Sequence, residues 1–224
     1  MVDRKHTHAI VILGGDLPSL NHQYDTTDAL VIAADSGWEH AVALGLTPHF
    51  LVGDLDSISP ASLAMARESS ATIVEHPRDK DATDAELALS IAMEHTVDSI
   101  HVMSGGGDRL DHVLGALHIL GTPAQNGVRT TCTAGSALIH VATTHHIATF
   151  NALVGETISL LPVGGRVHVS STSGLRWSLS EEVLDPFSSR GISNIATETT
   201  VTVRVAEGVL FVIQPGHHSE GVAP

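Results

Sequence analysis

Four acidic segments hold the residues best able to do chemistry, and each follows or interrupts a short apolar run. They are Ala34-Asp35-Ser36-Gly37, Gly53-Asp54-Leu55-Asp56-Ser57, Asp79-Lys80-Asp81-Ala82-Thr83-Asp84, and Gly105-Gly106-Gly107-Asp108-Arg109-Leu110-Asp111-His112. Carboxylates grouped with a glycine triplet and a few cations suit a magnesium polyphosphate. Mg²⁺ takes hard oxygen ligands, commonly one or two carboxylates with waters and phosphate oxygens. Asp54 and Asp56, two apart at a strand end, can converge where the strand has turned into a loop. The glycine triplet lets backbone N–H groups approach phosphate, and a helix N-terminus behind it adds a favourable dipole. Lys80 and Arg109 are the cations that would offset so many carboxylates.

Each segment alone also has a purely structural reading. Asp35 and Ser36 can turn the chain and cap a helix. Asp84 falls in a first helical turn, where the dipole favours acids whatever the function. Asp108 can be a cap, and Arg109 with Asp111 a surface pair. The Asp79 segment begins like a calcium loop, but Asp84 stands at the obligatory glycine and Ser90 at the terminal glutamate. Neither a complete dinucleotide fingerprint nor a Walker A sequence occurs. What exceeds the structural reading is four such segments placed on one edge of one sheet.

That edge follows from the elements between them. Ala9–Leu13, Leu30–Ala34, Phe50–Val52, Thr72–Val74 and Ile100–Met103 are short and apolar, as strands buried on both faces are. Ser36 with Glu39 reads as a capping box ahead of Ala41–Leu44, with Gly45 as the stop. Ser59-Pro60 opens a helix over Ala61–Arg67, and Thr83 with Glu86 opens another through about His95. Asp108 opens one toward Leu120 that stops near Gly121 and Pro123. The alternation predicts a doubly wound, mostly parallel α/β domain over residues 1–138. Ligands of such sheets bind at the carboxyl ends of the strands, where all four segments gather.

The pattern then changes to period two. Val141, Ile147–Phe150, Thr157–Leu161, Val167–Ser171, Val201–Val205 and Val209–Ile213 read as strands. Turn residues divide them, among them Pro162-Val163-Gly164-Gly165 and Gly208, with one helical turn around Ser180–Leu184. This predicts a small all-β sandwich over residues 139–224, ending in a loose tail.

Composition limits the partners. Asp and Glu outnumber Lys and Arg 25 to 11, a formal charge of −14, with no basic run to attract a nucleic-acid backbone. One cysteine, Cys132, excludes an intrachain disulfide and a cysteine-rich zinc site; a buried inert thiol is expected there. No stretch reaches the roughly 18 apolar residues of a membrane span, so no membrane and a cytoplasmic chain are expected. The pairs His145-His146 and His217-His218 read as solvated turns.

The four segments, in this order, resemble the thiamine pyrophosphokinase (thiamine diphosphokinase) family. Its catalytic domain carries Ala-Asp-Gly-Gly, Gly-Asp-(Leu/Phe)-Asp-Ser, Asp-(Lys/Gln)-Asp-x-Thr-Asp and Gly-Gly-Arg-Leu-Asp-His elements. Gly174-Leu175-Arg176-Trp177 and Gly191-Ile192-Ser193-Asn194 resemble two elements of the family's thiamine-binding domain. Departures stand at Ser36, at Trp38-Glu39, at Ala116 and in one extra residue before Arg109.

The resemblance implies that ATP and thiamine give AMP and thiamine diphosphate, the thiamine hydroxyl attacking the β-phosphorus. It implies Asp54, Asp56 and Asp84 as Mg²⁺ ligands, with Asp35 nearby. Ser57, Lys80, Asp81, Gly106, Gly107, Arg109 and His112 would serve ATP and its phosphates. Asp111 or Asp84 would orient or deprotonate the hydroxyl. Ser193 and Asn194 would hydrogen-bond the pyrimidine, and Trp177 would face the cationic vitamin or sit in the core. It further implies a homodimer that holds thiamine between one subunit's α/β domain and the other's β-domain. The residues by themselves leave two alternatives: a magnesium-dependent pyrophosphokinase or nucleotide hydrolase with another substrate, and a non-catalytic nucleotide or thiamine sensor.

Overall fold

The computed structural model describes residues 6–18, 25–107 and 109–216. The chain divides into two compact units, residues 1–135 and 136–224. The sequence placed the division a few residues later, after 138. Asp108, His217 and His218 lie outside the described residues, as does most of the expected tail.

In the first unit the five apolar runs form β1 (His8–Ile12), β2 (Leu30–Ala34), β3 (Phe50–Gly53), β4 (Thr72–Glu75) and β5 (Ser99–Ser104), and a stretch the sequence did not mark as a strand forms β6 (Arg129–Ala134). They pair in parallel in the order β6-β5-β1-β2-β3-β4. The chain builds outward from β1 to β4, then returns to lay β5 against the other side of β1. Strand order reverses there, and open parallel sheets bind ligands at the carboxyl ends beside such a reversal.

The helices are α1 (Gly37–Ala43), α2 (Pro60–Glu68), α3 (Asp84–Glu94), α4 (Leu110–Ile119) and α5 (Gly121–Gln125). Ile10, Ile12, Val31 and Met103 of the sheet bury themselves against Ala41 of α1. Ala33 and Leu51 do so against Trp38, Ile58 and Ala66. Each fully buried aliphatic side chain of this size contributes roughly 1.5–3 kcal/mol. α3 packs on β1, β2 and β3, which sets its first residue beside the carboxyl ends of those strands.

Two of the expected caps form and one does not. The hydroxyls of Ser59 and Thr83 accept the backbone N–H groups of Ser62 and Glu86. Ser36 makes no cap hydrogen bond, because its own backbone is already helical (φ −59, ψ −9). Its expected partner Glu39 instead accepts the Ser59 N–H at 3.0 Å, tying α1 to the start of α2. The helix expected to stop near Gly121 and Pro123 ends at Ile119, and those two residues belong to α5. Proline is tolerated there because first-turn N–H groups have no intrahelical acceptor. Cys132 lies in β6, where burial pushes its thiol up to about 12.

The second unit holds β7 (Ala137–Ala142), β8 (Ala148–Asn151), β9 (Thr157–Ser173), β10 (Ser180–Leu184), β11 (Asn194–Ile195) and β12 (Thr200–Gln214). Two corrections apply. Pro162 to Gly165 and Gly208 were expected to separate strands, but they lie inside β9 and β12, and Ser180–Leu184 is a strand, not a helical turn. β9 and β12 pair with each other along most of their length, with register shifts between Arg204 and Val209. On one side of the shifts their strand ends carry β11 and β7; on the other, β10 and β8. Ile158, Leu160, Leu210 and Val212 from the first half share one core with Val167, Val169, Val201 and Val203 from the second. The long pair therefore folds over on itself at the bulges, which bend and twist a strand without ending it. The two halves become the layers of a sandwich.

Candidate active site

Asp35 follows β2 directly with a positive φ of 47°, a conformation non-glycine residues seldom adopt and which clusters at functional sites. It is held there from both sides. Its own N–H donates to the Val52 carbonyl at 2.8 Å. Its carboxylate accepts the N–H groups of Ser57 at 3.3 Å and Ile58 at 3.1 Å. The loop after β3 is thus pinned to the end of β2, and Asp54 in that loop is brought next to Asp35. Leu55 turns the loop with φ 60°, and Asp54 accepts the Asp56 N–H at 3.2 Å.

Asp84 joins them as the first residue of α3. Gly53 makes room for it: a side-chain carbon at Gly53 would stand 3.0 Å from Asp84 Cγ and 3.3 Å from Asp35 Cβ, on a backbone with φ 147°. One carboxylate oxygen from each of Asp35, Asp54 and Asp84 then lies within 4.8 Å of the others. Lys80 inserts its ammonium between two of them, 3.3 Å from Asp54 and 3.2 Å from Asp84.

The electrostatics of this group ask for a cation. Burial, reinforced by the charges of Asp84 and Asp54, raises the Asp35 carboxyl above the usual carboxylate range. Burial opposes ionisation of Asp54 too, but the Asp56 N–H and the Lys80 ammonium outweigh it and hold that carboxyl low. Burial likewise pulls at the Lys80 ammonium, and the two carboxylates more than offset it. One ammonium facing three carboxylates leaves negative charge uncompensated. Oδ1 of Asp84 is moreover buried without a hydrogen bond, the Lys80 ammonium at 3.2 Å being its one ion-pair partner among the described residues. Three hard oxygens, one of them orphaned, fit a divalent cation of the magnesium type.

The other expected site residues are placed as follows. Asp56 is not in this trio; its carboxylate is taken by Arg78 and by the Ser57 hydroxyl. Asp81 and His112 are exposed. Gly106 and Gly107 adopt φ of 93° and 141°, and the Gly106 carbonyl accepts the Asp16 N–H at 3.4 Å. Arg109 and Asp111 form an exposed pair at 2.6 Å, and Arg109 draws the Asp111 carboxyl down to about 2. In the second unit Trp177 is 55% exposed, so it is not a core tryptophan. Ser193 is exposed with φ 59°, whereas Asn194 is buried.

Sequence reasoning passed over two features. Arg78 is a cation beside the cluster, two residues before Lys80 in the same segment. Gly14-Gly15-Asp16 follows β1 and packs on the loop after β5, so that a side-chain carbon at Gly105 would stand 2.0 Å from the Asp16 carbonyl. The signal was there: two glycines directly after the first apolar run.

A parallel sheet with carboxylates and a lysine gathered at its strand ends, followed by a β-sandwich, defines a two-domain phosphotransferase. Residues 20–132 match the family model "Thiamin pyrophosphokinase, catalytic domain", and residues 140–210 match "Thiamin pyrophosphokinase, vitamin B1 binding domain". The chain belongs to the thiamin pyrophosphokinase family, whose members transfer a pyrophosphoryl group to thiamine. Thiamine pyrophosphokinase of Bacillus subtilis (strain 168) is 26% identical over 217 residues, covering 91% of this chain and 96% of that protein. Thiamine pyrophosphokinase 3 of Oryza sativa subsp. japonica is 26% identical over 183 residues, covering 77% of this chain and 68% of that protein. The crystal structure of the Bacillus subtilis enzyme superposes with a TM-score of 0.79 at 22% identity, covering 94% of this chain and 99% of that one. Thiamin pyrophosphokinase from Candida albicans gives 0.73 at 15% identity, covering 92% and 89%. Among the described residues no helix is long and apolar enough to cross a membrane.

Proposed function

We propose that the acidic strand edge of the first unit binds Mg-ATP and that the second unit supplies the thiamine site of a cytoplasmic homodimer. The observation that carries the metal assignment is the trio Asp35, Asp54 and Asp84 with its orphaned Asp84 oxygen. Asp54 and Asp84 hold the cation, Asp35 closes a third side, and Asp56 stands next to it on Arg78. A bound Mg²⁺ supplies neutralisation of phosphoryl charge. The chain's own part is positioning. Lys80 steadies the cluster and offers its ammonium to the phosphates, joined by Arg109. The glycines after β1 and β5 leave room for the backbone to approach the polyphosphate, with the Gly106 N–H held by Ser104 Oγ at 3.3 Å. Phosphoryl transfer depends chiefly on such alignment and charge neutralisation. The thiamine hydroxyl oxygen bonds to the β-phosphorus as the bond from that phosphorus to the α–β bridging oxygen breaks, the hydroxyl proton passing to Asp84 or to water and AMP leaving. As the structure stands, Asp111 is a poor base, because Arg109 engages its carboxylate and lowers its affinity for a proton.

For thiamine, an exposed Trp177 offers an aromatic face to a cation, and Ser193 offers an exposed hydroxyl. The homodimer completes each thiamine site with a second copy of the β-domain, and exposed Phe187 and Ile192 on that domain suit burial by a partner.

The test is turnover against Mg²⁺ concentration in three variants. Asp54→Asn and Asp84→Asn are each expected to cost about a hundredfold or more in kcat, and Asp56→Asn, which frees Arg78, to lower it with the fold intact. Near-normal activity in Asp54→Asn or Asp84→Asn removes that residue from the metal site, and in Asp56→Asn shows that its pair with Arg78 is not needed.

A further inference from the structure

Asn194 opens β11 with only 4% of its surface exposed, and its carboxamide is nearly spent on the protein itself. Oδ1 accepts the Trp177 N–H at 3.1 Å and the Ile195 N–H at 2.8 Å, while Nδ2 donates to the Trp177 carbonyl at 2.8 Å. Both backbone groups of Trp177 are therefore held by one side chain, in the reciprocal pattern that facing residues of antiparallel strands exchange. The neighbouring contacts continue that pattern. The Arg176 N–H donates to the Ile195 carbonyl at 2.9 Å and the Thr197 N–H to the Gly174 carbonyl at 2.8 Å, and Leu175 bridges Ala196. Residues 174–177 are zipped onto 194–197, with Asn194 as the last tooth.

The indole of Trp177 stays 55% exposed on this fixed backbone, with the Arg176 guanidinium 5.2 Å from its ring centroid. An exposed aromatic whose main chain is locked on both sides is a preorganised surface: the ordering cost of binding has been met in folding. We infer that Asn194 is a positioning residue for thiamine, which does not touch the vitamin and acts by fixing Trp177. This rests on the reading that Trp177 faces thiamine. Ser193, exposed and held by its N–H on Ser159 Oγ at 3.1 Å, is then the member of the Gly191–Asn194 segment left free to reach the ligand.

Asn194→Asp tests the inference, because a carboxylate keeps the shape but sets an oxygen against the Trp177 carbonyl. Kinetics are measured for native, Asn194→Asp, Trp177→Ala and double variants, with 5-fluorotryptophan labelling to follow Trp38 and Trp177, the chain's two tryptophans. Asn194→Asp is expected to raise the thiamine KM about tenfold and leave the ATP KM unchanged. In the Trp177→Ala background the same change should add less than about twofold. The Trp177 fluorine resonance should move and that of Trp38 should not. As pH falls and the new carboxyl protonates, it regains a donor, and the Trp177 resonance should return toward its native position. Asn194→Ser, which removes the clamp without adding charge, serves if the Asp variant does not fold. An equal rise in KM with and without Trp177 would overturn the inference, as would an unchanged KM in a folded variant with Trp177→Ala impaired. An unperturbed KM in Trp177→Ala itself would remove the Trp177 reading and the inference together.

Discussion

Asp84 is both the opening acid of α3 and one wall of the carboxylate cluster, and Gly53 is what lets it be both. A methyl group at Gly53 would press on Asp84 Cγ at 3.0 Å from a backbone at φ 147°, which L-residues rarely adopt. Gly53→Ala should lower kcat at least about tenfold and raise the Mg²⁺ needed for half activity, since misplacement of this size is costly in positioned catalysis. A variant with native Mg²⁺ dependence would show that Asp84 tolerates displacement. At this scale the sequence was informative about residue types and less so about grouping. Asp54, Asp84 and Lys80 were legible from their segments. Asp35 was expected nearby, but that it and not Asp56 would complete the trio depended on two N–H bonds from Ser57 and Ile58, twenty-odd residues away, which no local pattern encodes.

Among the elements, the first five strands of the first unit were legible as continuous apolar runs, whereas β6 was not, because Arg129-Thr130-Thr131-Cys132-Thr133-Ala134 is no such run. The Ser59 and Thr83 caps were legible because both residues have extended backbone, as a cap requires. Ser36 failed because its own backbone is already helical, while its expected partner Glu39 was taken by the Ser59 N–H. The long strands of the second unit were hidden because proline and glycines usually end strands, whereas here bulges carry the chain through a fold-over. β6 gives a test at this scale. The folded-state thiol of Cys132 lies at about 12 against an ordinary value of 9.0. A raised value means that stability is full below pH 9 and falls as pH rises from about 9 toward 12, because the unfolded thiol ionises first. Denaturant midpoints should drop over that window in the native chain and less steeply in Cys132→Ala. Iodoacetamide should label Cys132 only on unfolding. Rapid labelling of the folded chain at pH 8 would contradict its burial.

At the scale of the whole molecule, the proposed homodimer predicts complementation between defective subunits. Asp54→Asn damages the α/β domain and Trp177→Ala the β-domain, so a mixed dimer holds one intact site if thiamine lies between subunits. Random reassociation makes half the dimers mixed, so at subsaturating thiamine mixing the two defective variants should bring activity to about a quarter of native, above either variant alone. No recovery from exchanged subunits would place each thiamine site within one chain. The net charge of −14 adds that ATP must be drawn in by local cations, and that Lys80, Arg78 and Arg109 matter more than their number suggests. The most direct test of the account is a phosphorus NMR record of the protein with Mg-ATP and thiamine. The account predicts AMP and thiamine diphosphate in equal amounts, with no AMP when thiamine is omitted. ADP with thiamine monophosphate, or AMP formed without thiamine, would contradict it.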